Sequence, residues 1–315
     1  MTVNKNNSKN SMNISYEGNR NEDSFKKIPD SLKFLPPIVL LTLSILTKSL
    51  VEEWLFIWIF GFSIFFCCKW ITLVDALNNS PNVSKLRAVL YMFGWVGMDA
   101  KRFLTDNKQL EVQNKVWLET ISKILIGLFL MYVITEKVYS INHLLGGWIG
   151  LAGFGIFMHF GLFHLIALIW NKFGVNVKPV INSPLYSTSL TDFWSNRWNL
   201  AFRDLSRNYI LRPLAPKIGI VYATIIVFLI SGLIHELIFS FPANGCYGLP
   251  TLYFIIQIIG LFVERSKIGK KLGLMNALRG RIFAFLVIFG PFSLLFHKAF
   301  IEKIMLPFLY QIKAL

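Results

Sequence analysis

The chain is poor in acids and in cysteine. Of its 315 residues only 17 are Asp or Glu, against 32 Lys or Arg, and 16% are charged in all; soluble domains carry about 25%. Cys67, Cys68 and Cys246 form no CxxC pair, so neither a zinc site nor a redox dithiol is supported, and three cysteines make no disulfide framework. There is no Walker sequence, no GxGxxG opening a nucleotide-binding unit, no GxSxG nucleophile elbow and no internal repeat of the kind that builds inverted-repeat transporters. The HE of His235–Glu236 is not a zincin, because Phe239 stands where the second His is required. His159 and His164 lie five apart, which does not set two metal ligands on one helix face.

What the chain has is apolar length. It is 54% apolar and 15% aromatic, and several runs reach the roughly 20 residues that cross a bilayer. The expected fold is an all-α, polytopic membrane bundle of about 7–9 spans, forming one domain over residues 31–315 behind a disordered tail, 1–30, that is rich in Asn, Ser and Lys. About thirty polar residues precede the first apolar run, so a cleaved signal peptide is not expected.

Seven spans are read from the pattern. The first starts near Phe34, where Pro36 and Pro37 suit a helix start. Trp54–Val74, Trp117–Thr135 and His143–Trp170 follow, the last expected to tilt or break at its early glycines (GGWIGLAGFG). Ile218–Phe241, Leu249–Val263 and a run from Arg281 to about Phe296 complete the set. Val83–Asp99 reads as an interfacial or re-entrant helix, and Ile304–Leu315 is too short to assign.

The net charge of +15 falls mainly between the apolar runs, as the positive-inside rule requires, and is not a nucleic-acid footprint. Lysines and arginines crowd the tail, the segment after the second span, the segment after the fourth, and the loop holding Arg265, Lys267, Lys270, Lys271 and Arg279. The alternate loops are poor in them; SFPANGCYGLP has none. Seven spans from a cytoplasmic N-terminus satisfy every loop, in the endoplasmic reticulum of a eukaryote or the inner membrane of a bacterium. Attraction to anionic lipid is a further use of these charges, and drawing in a phosphate-bearing coenzyme is another.

His235 is the outstanding residue. The run from Ile218 holds no charged side chain before it. An ionisable group at such depth usually faces protein or a watery cavity, and hydrocarbon burial favours the neutral, proton-accepting imidazole. An intramembrane base and a histidine that hydrogen-bonds a neighbouring helix are both consistent with this feature alone. Ser231, one turn earlier, can hydrogen-bond it. Glu236 points away from it on a helix; pairing with a buried Arg or Lys is its simplest role, and tuning the site is a second.

Just before this span lies TSLTDFWSNRWNLAFRDLSRNYILRPLAP, Thr188–Pro216. At about 100° per residue it makes a two-faced interfacial helix. Asp192, Ser195, Asn196, Asn199, Arg203, Ser206 and Arg207 share one side, and Trp194, Trp198, Ala201, Phe202, Leu205 and Tyr209 the other. Ser189 or Thr191 is the expected cap, and Pro213 and Pro216 are expected to end the helix, making its neighbour the His-bearing span.

Three quoted stretches, SPLYSTSLTDFWSNRWN with the following RPL, SGLIHEL, and GWVGMDAKRF (Gly94–Phe103), resemble the wax synthase-like branch of the membrane-bound O-acyltransferases. The resemblance covers roughly Met92–Glu264 and is strongest over Pro184–Leu237. Two departures stand out: Asn196 where a basic residue is frequent, and Val96 where proline is usual. The resemblance implies direct acyl transfer from acyl-CoA to the hydroxyl of a lipid alcohol, with wax ester as product or a sterol as acceptor, and with Asn199 and His235 as the catalytic pair. It implies no acyl-enzyme, metal or bound cofactor. Trp194, Trp198, Arg203, Arg207 and Ser231 are the candidate substrate contacts; Arg203 and Arg207, with Arg212 and Lys217, suit coenzyme phosphates. Two other readings stay open: a transporter or channel in which His235 relays protons or lines a path, and a lipid-binding scaffold. Oligomeric state is open too.

Overall fold

In a computed structural model the described residues are 27–80, 82–108 and 112–315. Most of the tail expected over 1–30 lies outside them. Its last residues are held: Ile28 exchanges two hydrogen bonds with Asn78, at 2.8 and 3.0 Å.

The chain is an all-α, polytopic membrane protein. Among the described residues six helices are long and apolar enough to cross a bilayer: α1 (Asp30–Ser49), α2 (Glu53–Asn79), α5 (Asn114–Tyr139), α6 (His143–Lys172), α8 (Leu200–Ala243) and α11 (Ala277–Leu295). The seventh expected span is a helix of 17 residues, α9 (Leu249–Arg265). Short helices α3 (Lys85–Gly94), α4 (Ala100–Thr105), α7 (Leu190–Asp192) and α10 (Lys267–Lys271) join them, and α12 (residues 298–311) closes the chain. Among the described residues there is no strand; one isolated bridge pairs Asn107 with Val175.

Pro36 and Pro37 sit inside α1 and do not start it. The helix survives because Trp70 Nε1 donates to the Leu32 carbonyl at 3.0 Å, replacing the donor that Pro36 lacks. Further along, Asp75 of α2 receives Lys33 Nζ of α1 and the Tyr209 hydroxyl of α8, both at 2.5 Å.

The glycines of α6 leave it unbroken. With Gly127 of α5 they let backbones touch: a Cβ on Gly127 would lie 2.5 Å from Phe157 N, and one on Gly153 of α6 would lie 2.9 Å from Gly127 O. What interrupts α6 is a π-helical stretch, Ile156–Leu162, just past those glycines. Val83–Asp99 does not span; it is α3 followed by a bend, with Tyr91 fully buried in the core that also holds Trp95 and Phe103.

The segment Thr188–Pro216 is not one continuous helix. α7 passes into a π turn, Phe193–Arg197, then Trp198 is extended and Asn199 is left-handed (φ 41°, ψ 60°). Only then does α8 begin. Nor do Pro213 and Pro216 end it. Both lie within the helix, which continues through them after a second π stretch, Arg207–Leu211. The break comes at Gly219 (φ 84°, ψ 154°), a conformation open to glycine. Beyond it the chain runs helically to Ala243, through a further π stretch at Glu236–Ser240.

Candidate active site

The site is built from the turn at Asn199 and the end of the His-bearing helix. Ser189 caps α7, its hydroxyl accepting from Asp192 N at 2.9 Å. The same helix end is held from outside by Glu264, the penultimate residue of α9 and almost fully buried. Its Oε2 accepts from Leu190 N at 2.5 Å, and its Oε1 accepts from Thr191 N at 3.1 Å and Thr191 Oγ1 at 2.5 Å. A buried carboxylate on free helix N–H groups is favoured by both hydrogen bonding and the helix dipole.

Asp192 then gathers the π turn. Its carboxylate accepts from Arg197 Nε at 2.6 Å, Asn196 Nδ2 at 3.0 Å and Thr188 N at 3.2 Å. Burial opposes its charge, but these hydrogen bonds and the Arg197 charge outweigh that and hold the carboxyl below the usual aspartate range. The turn is closed by backbone bonds from Trp198 N to Phe193 O, Leu200 N to Val180 O and Asn182 N to Arg197 O.

Asn199 caps α8: its Oδ1 accepts from Phe202 N at 3.1 Å. The acceptor of the carboxamide is therefore used, and the Nδ2 hydrogens are what it has left to give. Trp198, beside it, is clasped between rings. Phe193 stacks on it at 5.6 Å and 13°, and His159 of the α6 π stretch stacks on it at 6.0 Å and 16°.

His235 ends the regular part of α8, half-buried between Phe254 (4.6 Å between ring centres) and Phe239 (5.5 Å). Its Nδ1 lies 2.6 Å from the Ser231 main-chain carbonyl. A carbonyl only accepts, so Nδ1 carries the hydrogen, and the lone pair of the neutral ring is on Nε2. The hydroxyl of Ser231 is not the partner. Glu236 pairs with neither Arg nor Lys among the described residues. Its Oε1 accepts from Thr251 N at 2.9 Å, because the first turn of α9 offers free N–H groups nearby.

Asn199 and His235 make no hydrogen bond to each other. They are joined through rings: His235 to Phe254, Phe254 to Trp194 (6.0 Å), Trp194 to Phe193 (5.1 Å), and Phe193 to Trp198. Trp194 also donates from Nε1 to the fully buried Gln257 at 3.4 Å. Of the basic candidates, Arg203 is engaged by Asp204 and by the Ser195 carbonyl, whereas Arg207 is exposed. An apolar cleft of ≈ 270 Å³ between α1, α2 and α3, lined by Pro37, Leu40, Phe66 and Phe93 among others, contains neither Asn199 nor His235.

The GWVGMD stretch is fixed by Lys69, fully buried within α2. Its Nζ donates to Gly97 O at 2.9 Å and lies over the Tyr91 ring at 3.1 Å. Lys69, Glu264 and Gln257 escaped the reading of the sequence, and His159 entered it only as a metal-ligand candidate. For the first two a signal existed: a lone charge within or at the end of an apolar run.

Residues 177–256, which hold this turn and this histidine, match the profile of the membrane bound O-acyl transferase family. The likeness to that family is carried by this segment, about a quarter of the chain. Proteins similar to part of this chain include "Probable long-chain-alcohol O-fatty-acyltransferase 1" of Arabidopsis thaliana, 37% identical over 84 residues, which is 24% of each chain. The "Long-chain-alcohol O-fatty-acyltransferase" of Simmondsia chinensis is 28% identical over 110 residues, 31% of each chain. "Acyl-CoA--sterol O-acyltransferase 1" of Arabidopsis thaliana is 35% identical over 74 residues, 21% of each chain. The chain thus covers a third or less of each of these relatives.

Proposed function

We propose that the protein is an acyl-CoA-dependent O-acyltransferase that esterifies a lipid alcohol, with a long-chain alcohol as the first acceptor to test and a sterol as the second. The reading is supported by the names of the relatives and by one feature of the site: the Nδ1 bond to Ser231 O leaves Nε2 of His235 as the basic nitrogen.

In this mechanism the acceptor O–H gives its proton to His235 Nε2 while its oxygen attacks the thioester carbonyl. The carbonyl oxygen takes up negative charge, and Asn199 donates to it from Nδ2, the half of the carboxamide that the cap leaves unused. The C–S bond then breaks. The proton passes from the imidazolium to the departing thiolate, and ester and free coenzyme A leave. Trp194 and Trp198 wall the apolar side of the path, and Arg207 meets coenzyme phosphate.

The test offers purified protein labelled acyl-CoA and a panel of alcohols. Ester is expected from the parent and almost none from His235→Ala that still folds. A transporter gives the opposite pattern, with solute crossing vesicles and no ester formed.

A further inference from the structure

We propose that residues 265–281 are a docking surface for anionic phospholipid headgroups, built against the start of the candidate site. The segment joins α9 to α11. In 17 residues it carries six cations, Arg265, Lys267, Lys270, Lys271, Arg279 and Arg281, and no acid. Lys267, Lys270 and Lys271 are exposed and form no ion pair among the described residues.

Four large apolar side chains stand out among these charges: Ile268, Leu272, Met275 and Leu278 are 55–69% exposed. That combination fits a lipid layer, where the ammonium groups meet phosphates and the apolar side chains sink below them. A water-soluble phosphate compound satisfies the charges and leaves the apolar groups in water. The position agrees. At about 1.5 Å per residue, the 17 residues of α9 reach roughly 25 Å, less than a hydrocarbon core of about 30 Å. Such a short span draws its Arg265 end down to headgroup level.

The segment is also rigidly seated. Arg265 Nε donates to Thr191 Oγ1 and Arg281 Nε to Ser187 O, each at 3.3 Å. Gly280 lies so close to the chain before α7 that a Cβ there would be 2.4 Å from Thr188 O. A lipid contact made here therefore bears on the residues that set up the turn at Asn199. The docking surface does not depend on the acyl-transfer reading, and its test needs no turnover.

The test is hydrogen–deuterium exchange of the full chain in nanodiscs of phosphatidylcholine alone or mixed with phosphatidylserine. Amides of 267–279 are expected to exchange more slowly on the mixed lipid, and the difference is expected to shrink with added salt. Changing Lys267, Lys270 and Lys271 to Gln should reduce the protection by roughly fivefold for each lysine removed. The pair Ile268→Ser and Met275→Ser should weaken it as well. Equal exchange on the two lipids overturns the proposal. So does the same slowing from coenzyme A or inorganic phosphate on neutral discs, which assigns the site to a soluble anion, or full protection in the serine pair, which leaves the apolar side chains no part in the contact.

Discussion

Thr191 presents both its amide and its hydroxyl to a single carboxylate oxygen, Oε1 of Glu264, 73 residues away in the chain. With Leu190 N on the other oxygen, three donors converge on one almost fully buried group. Glu264→Gln keeps the volume but turns one acceptor into an NH₂ that must face a donor. The variant is expected to lose about 1–3 kcal/mol of stability, the cost of a buried donor left unmet. Thermal unfolding in detergent measures it, and a variant as stable as the parent would remove the clamp from the argument.

Asn199 serves two ends that substitution can separate. Asp at this position keeps the cap acceptor and loses the Nδ2 donor, so Asn199→Asp is expected to unfold near the parent temperature while turnover falls by roughly 10²–10³. Gly suits the positive φ but lacks the carboxamide. Asn199→Gly is expected to lose turnover to a similar extent with only a few tenths of a kcal/mol lost from the cap. Turnover preserved in the Asp variant would mean that the carboxamide only caps.

The spans were legible because hydrocarbon burial leaves long apolar runs, and the Asn199 and His235 motifs were legible because their residue types stand out there. The breaks were not. A helical periodicity summed over Thr188–Pro216 cannot register two non-helical residues, Trp198 and Asn199, within an otherwise helical stretch. Nor does the sequence say that Gly219, rather than either nearby proline, turns the chain; the chain has 21 glycines, and few take a positive φ. The partners of Leu32, Leu190 and Trp198 come from Trp70, Glu264 and His159, and pairings over 38 to 74 residues follow from packing rather than from local pattern.

Ser231 and His235 give a paired prediction. The imidazole bonds the backbone of Ser231, so Ser231→Ala should leave ester formation within a few-fold of the parent. His235→Ala should lower it by about 10²–10⁴, the usual worth of a positioned base. His235→Gln keeps polarity without a basic nitrogen and should fall as far as Ala. Rates of ester release at saturating acyl-CoA decide the matter; a Gln variant near parental activity would reassign His235 to orientation.

The last prediction concerns pH. Asp192 is held below the usual aspartate range in the folded chain, so its unfolded form binds a proton more readily. A lowered folded pKa means that the stabilisation is fully present above the unfolded value, near pH 4, and is lost as pH falls through the folded value. Unfolding of the parent should therefore ease below about pH 4. Asp192→Asn should be less stable at neutral pH, because Arg197 Nε and Thr188 N keep only a neutral amide in place of the carboxylate, and its stability should be flatter with pH in that window. Chemical denaturation of both chains across the acid range tests this; parallel curves would mean that Asp192 contributes no pH-linked stability.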